Sequence, residues 1–161
     1  TFPDRFRQAW STQMHTKLGL AADAPDGDAL IADLLSLMAA QRVDYTSCLR
    51  SLSSMVRGDA ALTRVLFTDP SAFDAWSQRW LDLLGVDRVA IADRMDRANP
   101  IYIPRNHLVE EALAAATTGD LATFEQLLEA VTNPFEQRPG WERYESGAPA
   151  DAPAHRTFCG T

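Results

Sequence analysis

The sequence predicts an all-α fold, with seven or eight short amphipathic helices and an irregular Pro/Gly-rich C-terminal tail. Three observations predict it. Apolar residues recur every three or four positions, which is the spacing of one helix face. Asp, Gly and Pro stand where such segments start and stop. Alternation of period two, the mark of a half-buried strand, never persists.

The elements follow in order. Phe2, Phe6, Trp10, Met14 and Leu18 stand four residues apart and form one stripe of an amphipathic helix, with Gly19 at its stop. Residues 20–28 (LAADAPDGD) read as a connector, and Asp28 as the cap of a second helix that buries Leu30, Ile31, Leu34, Leu35 and Met38. Asp44 is placed to cap a third, with Tyr45, Cys48, Leu49, Leu52 and Met55 on one face. Residues 59–67 read as a short apolar helix. Asp69-Pro70-Ser71 opens the next, since Pro is well tolerated in a first turn, and Phe73, Trp76, Trp80, Leu83 and Leu84 give it an aromatic stripe that ends at Gly85. That stripe is expected to be core rather than a ligand groove, because aromatic side chains at helical spacing bury strongly.

Residues 87–98 are charged, and Asp93 stands four places before Arg97 in the favourable order for a helical ion pair. Residues 99–104 (NPIYIP) cannot be helical, because two prolines hold the chain extended. The NPxY pattern within them reads as a crossover anchored by Tyr102 rather than as a recognition tail. A helical hairpin follows. Leu108, Val109, Ala112, Leu113 and Ala116 line its first arm, Gly119 and Asp120 its turn, and Phe124, Leu127, Leu128 and Val131 its second arm. It looks like one ankyrin unit, but no second copy at a matching period accompanies it. The chain divides on this reading into a helical domain, residues 1–133, and the tail, residues 134–161, which Phe135, Trp141, Tyr144 and Phe158 are placed to pin down.

Composition narrows the function classes. A formal net charge of −7 with scattered Lys and Arg disfavours nucleic acid and anionic membrane as partners. Two cysteines, Cys48 and Cys159, are too few for a disulfide framework and form no zinc pair, so a reducing, cytoplasmic setting is expected. The first residues, Thr1-Phe2-Pro3, lack an initiator Met, and the start is expected to be a boundary within a longer chain. No phosphate-binding glycine loop, zinc-protease helix motif or nucleophile elbow occurs. His15, His107 and His155 are far apart and read as surface or capping residues, and Glu110-Glu111 as a solvated face. Cys159, three places from the end beside Gly160, is expected to be an accessible thiol, and Cys48, on an apolar face, a buried and inert one.

Several segments, taken in order, resemble the C-terminal part of the selenoprotein O (SelO/YdiU) family of protein adenylyltransferases. They are residues 6–20 (FRQAWSTQMHTKLGL), Val43-Asp44-Tyr45-Thr46, Phe73-Asp74-Ala75-Trp76, Arg94-Met95, residues 99–106 (NPIYIPRN), Gly119-Asp120, Asn133-Pro134-Phe135 and the Cys-Gly-Thr ending. The resemblance implies a parent enzyme with a kinase-like fold. That enzyme would bind ATP with Mg²⁺ or Mn²⁺ and transfer AMP to protein Ser, Thr or Tyr hydroxyls. It also implies that the glycine-rich loop, the nucleotide-contacting basic residues and the metal ligands lie upstream. No catalytic, cofactor-binding or metal-binding residue is therefore assigned here. Cys159 takes the family's terminal redox position by resemblance, and the upstream kinase-like domain and the parent's protein substrates are the expected partners. This stretch alone is expected to be inactive, structural and redox-regulatory; the alternative is a stand-alone helical protein–protein interaction module.

Overall fold

The computed structural model describes residues 1–148. Nine helices and no strand occur among them: α1 Phe2–Lys17, α2 Gly27–Gln41, α3 Tyr45–Val56, α4 Ala61–Arg64, α5 Ser71–Leu83, α6 Arg88–Ala98, α7 Asn106–Thr117, α8 Ala122–Thr132 and α9 Glu142–Glu145. The all-α reading holds. The short α9, inside the stretch read as tail, raises the count. The chain forms two compact units, Thr1–Pro100 and a second beginning at Ile101. No helix among the described residues is long and apolar enough to cross a membrane.

The first unit is built on α5. Phe73, Trp76 and Trp80 repeat at helical spacing and are at most 1% exposed. Phe67, Phe73, Trp76 and Trp80 stack in a column, with successive ring centroids 4.5, 5.7 and 5.4 Å apart. Buried indoles need acceptors. Trp76 Nε1 donates to the Leu30 carbonyl, and Trp80 Nε1 to the Leu18 carbonyl at the end of α1, both at 2.9 Å. Around this column α2 packs on α5, α3 on α4 and α6, and α1 on α2 and α6. Leu18, Ile31, Leu34, Leu49, Leu52 and Met95, each at most 1% exposed, fill the spaces between them.

Caps follow the sequence in part. Asp44 caps α3, accepting from the Ser47 N–H at 2.8 Å. Gly19 follows the end of α1 with φ +68°, and a Cβ there would stand 2.6 Å from Ile91 Cγ2, so the turn between α1 and α2 requires glycine. Asp28 does not cap α2. Asp26 holds that position in a left-handed conformation, and the Asp28 carboxylate accepts instead from the Ser11 hydroxyl of α1 at 2.7 Å. The Asp93–Arg97 pair does not form either. Arg57, the residue after α3, reaches across and takes Asp93 at 2.7 Å. His15 is neither a surface nor a capping residue: it is 6% exposed, its Nδ1 lies 2.9 Å from the Ser11 carbonyl, and its ring fills the space beside Gly27.

The largest departure is in α1. Met14 and Leu18 are buried, but Phe2, Phe6 and Trp10 on the same stripe are 82, 61 and 41% exposed.

In the second unit α7 and α8 pack as the expected hairpin, turning at Gly119, with Asp120 accepting from the Ala122 N–H at 2.9 Å. Its core is Ile101, Tyr102, Leu108, Ala112, Leu127, Ala130 and Tyr144, with Trp141 packed against it. The extended stretch before α7 is held by its own backbone, since the Ile101 N–H donates to the Pro134 carbonyl at 2.7 Å. Leu113, Phe124 and Leu128, expected to line the hairpin, remain 44–56% exposed. Ala112 and Ala130, at most 1% exposed, are among the side chains the hairpin does bury.

Candidate functional site

A polar cluster of the first unit joins the ends of α1 and α6 to α3. Lys17, in the last turn of α1, donates from Nζ to the Ala98 carbonyl at 2.9 Å and to Asn99 Oδ1 at 3.3 Å. Asn99, 1% exposed, returns a bond from Nδ2 to the Lys17 carbonyl at 2.8 Å. The terminal carbonyls of a helix have no partner within the helix, so one Asn and one Lys here satisfy two helix ends reciprocally. From α3, Arg50 donates to the carbonyls of Asp96 and Asn99 at 2.7 and 3.1 Å. Both cations lie at the carbonyl end of α6, where the helix dipole favours positive charge. The Ser53 hydroxyl donates to Asp96 at 2.5 Å, and Arg57 bridges Asp93 and Asp96 at 2.7 and 2.8 Å.

Three cations, Lys17, Arg50 and Arg57, meet two carboxylates, Asp93 and Asp96, and main-chain carbonyls take the remaining donors. Burial lowers the Lys17 pKa, which marks an ammonium held away from bulk water. At Arg57 burial acts in the same downward sense, but bonds to Asp93 and Asp96 outweigh it and the pKa rises. The guanidinium and ammonium donors point at carbonyls and carboxylates of this same chain. Chemically the cluster is a tie between three helices. The sequence pattern marks Asn99 only as the start of the extended NPIYIP stretch and does not mark Arg50. The available signals were an Arg beside the apolar positions of α3, and an Asn between the end of a helix and a proline.

Cys48, at 0% exposure, lies within the main core, where burial first and the Asp44 carboxylate second push its thiol pKa up to about 12. A thiol so buried is almost wholly protonated at neutral pH and is a poor nucleophile. Cys159, His155 and Phe158 lie outside the described residues. His107 is half-buried, and the exposed Glu111 pairs with Arg143 at 2.6 Å.

In the second unit Arg138 stacks over Trp141 at 3.8 Å from the ring centroid, and its backbone N–H donates to the Tyr102 hydroxyl at 2.9 Å. Tyr102 is thus the anchor expected of it. Tyr144 donates to Gln126 at 3.0 Å, and Arg105 donates to the Glu145 carbonyl at 2.8 Å. These bonds fasten the stretch after α8 to the hairpin. A depression between α2 and α5, lined by Pro25, Asp26, Leu30 and Arg79 among others, holds about 190 Å³, below the roughly 300–1,000 Å³ of small-molecule sites.

Among the described residues the polar groups of this cluster bond to one another and to helix ends of the same chain. The chain belongs to the protein adenylyltransferase SelO family, whose model matches residues 1–132. It is 55% identical over 166 residues to the protein nucleotidyltransferase YdiU of Mycolicibacterium paratuberculosis, an alignment covering 99% of this chain and 33% of that protein. The YdiU proteins of Pseudarthrobacter chlorophenolicus and Sphingopyxis alaskensis are 48 and 44% identical, with 99% of this chain and 33% of each relative covered. The chain therefore spans about a third of the length of the curated relatives it matches.

The nucleotide and divalent metal that the family implies need hard oxygen ligands converging on one point and basic groups turned toward phosphates. The described residues do not fit this need. No three His, Cys, Asp or Glu side chains among them come together, and Arg50 and Arg57 donate into the chain itself.

Proposed function

We propose that this chain is the helical scaffold region of a longer protein adenylyltransferase, and that the catalytic groups reside in the other two thirds of that protein. The parent would use ATP with Mg²⁺ or Mn²⁺ and transfer AMP to Ser, Thr or Tyr hydroxyls of other proteins. The observation that carries this reading is the family match over residues 1–132, joined to relatives named as protein nucleotidyltransferases of which this chain covers a third. The internal direction of the Lys17, Arg50 and Arg57 donors supports a structural role, because nucleotidyl transfer depends on donors aimed at phosphate charge. The partners on this reading are the kinase-like part of the same chain and the parent's protein substrates, in the cytoplasm. Cys159 would serve as a redox tether, forming a reversible disulfide with a cysteine upstream of this stretch.

The test is incubation with ATP labelled in its α-phosphate, Mg²⁺ or Mn²⁺ and a protein acceptor. The full-length protein is expected to transfer label, and residues 1–161 alone are expected to transfer none. Transfer by this stretch alone would overturn the reading. For the tether, Cys159→Ser in the full-length protein is expected to abolish any reductant dependence of AMP transfer, and unchanged dependence would remove the redox role.

A further inference from the structure

The stripe on α1 begins in the core and runs out of it. Met14 and Leu18 are at most 2% exposed, whereas Phe2, Phe6 and Trp10, continuing the same four-residue spacing, are 82, 61 and 41% exposed. Arg5 and Arg7, both exposed, stand on either side of the stripe at helical spacing, so charged residues flank the apolar patch. The largest apolar patch on an ordinary monomer is often a functional contact surface.

We infer that the Phe2–Phe6–Trp10 face of α1 is a docking surface for the segment of the longer chain immediately preceding Thr1. Three observations select this occupant. First, about two thirds of the length of the relatives lies outside this chain, so there is protein available to cover the face. Second, the exposed half of the stripe is the N-terminal half, which brings the patch to the covalent junction with any preceding residues. A tethered segment acts at millimolar effective concentration and gives up little rigid-body freedom on docking.

Third, the patch is small. Taking an aromatic side chain to bury 150–250 Å², the exposed parts of these three amount to roughly 300–400 Å². That is about half of the ~800 Å² per partner that a stable dimer needs. It suffices for an intramolecular segment and falls short for a second copy alone. The covering segment should be apolar and should offer a carbonyl to the Trp10 indole, as Leu30 and Leu18 do for Trp76 and Trp80.

The test uses the full-length protein in two measurements, neither of which reads activity. In hydroxyl-radical footprinting of the unaltered protein, Phe2, Phe6 and Trp10 are expected to oxidise as slowly as the buried Phe73 and Trp80, many-fold below their rates in the urea-unfolded chain. Rates close to the unfolded ones would overturn the proposal. In the second measurement, Phe6→p-benzoylphenylalanine is irradiated at micromolar concentration. Crosslinks to residues preceding Thr1 are expected. Crosslinked dimers, crosslinks confined to residues after Thr1, or none at all would each overturn it. Failure of AMP transfer in the same preparation bears on the adenylyltransferase reading and leaves this one standing.

Discussion

At Cys48 burial turns a potentially reactive group into a packing atom. Its thiol pKa is pushed from 9.0 up to about 12, first by burial. Above pH 9 the unfolded chain ionises this thiol while the folded chain keeps it protonated, so stability is full below pH 9 and falls as the pH rises toward 12. The loss is expected to approach about 1.4 kcal/mol per pH unit in that window. Urea titrations at pH 8 and above should show the slope, and Cys48→Ala should flatten it relative to the unaltered protein; an unchanged slope would place its origin elsewhere. Trp80 makes a second residue-scale case. Trp80→Phe keeps an aromatic ring in the column but leaves the Leu18 carbonyl without its 2.9 Å donor. A cost of about 1–3 kcal/mol in unfolding free energy is expected from that unmet acceptor and the smaller ring.

Among the helices, α3 carries the most information. Its cap, Asp44, accepts from both the Ser47 N–H and the Ser47 hydroxyl, at 2.8 and 2.6 Å. Asp44→Ala is expected to cost about 0.5–2 kcal/mol by denaturant unfolding, and Asp44→Asn much less, since either side-chain oxygen can cap. The same helix separates two kinds of cation. Arg50 donates to two main-chain carbonyls at the end of α6 and also pairs with Asp96 at 3.4 Å, whereas Arg57, at the C-cap, bridges two carboxylates and is itself 38% exposed. A partly exposed ion pair contributes little, while an acceptor that loses its donor inside the protein is costly. Arg50→Ala should therefore destabilise more than Arg57→Ala, and the Arg57→Ala effect should shrink by the larger fraction in high salt. The reverse order would mean that the ion pairs, and not the carbonyl bonds, tie α3 to α6.

The two units differ in how much apolar surface each encloses. The first packs an aromatic column and four further helices into one core; the second closes a hairpin over a handful of side chains. Regions with fewer buried contacts open at lower free energy. Hydrogen exchange on the full-length protein should find the slowest amides in α5 and α3 and faster exchange in α8. Slowest exchange in α8 would contradict this ranking.

The sequence alone determined the all-α class, the aromatic core of α5, the Asp44 cap, the Gly19 and Gly119 turns and the buried state of Cys48. Each of these depends on residues near one another along the chain, where spacing and backbone preference act directly. The family was legible as well, because an ordered set of short segments survives in the sequence whatever surrounds it. Tertiary structure alone decided the rest. Asp93 had a suitable partner in Arg97, yet Arg57 lies nearer once α3 packs on α6. Arg50 looks unremarkable in the sequence and Asn99 reads there only as the start of NPIYIP; they become a tie only when two helix ends meet. On α1 the spacing from Phe2 to Leu18 is uniform, but the neighbouring helices cover only its C-terminal half. Helical spacing specifies which side chains share a face, and what lies against that face is set by chain that can be far away in sequence or outside this stretch altogether.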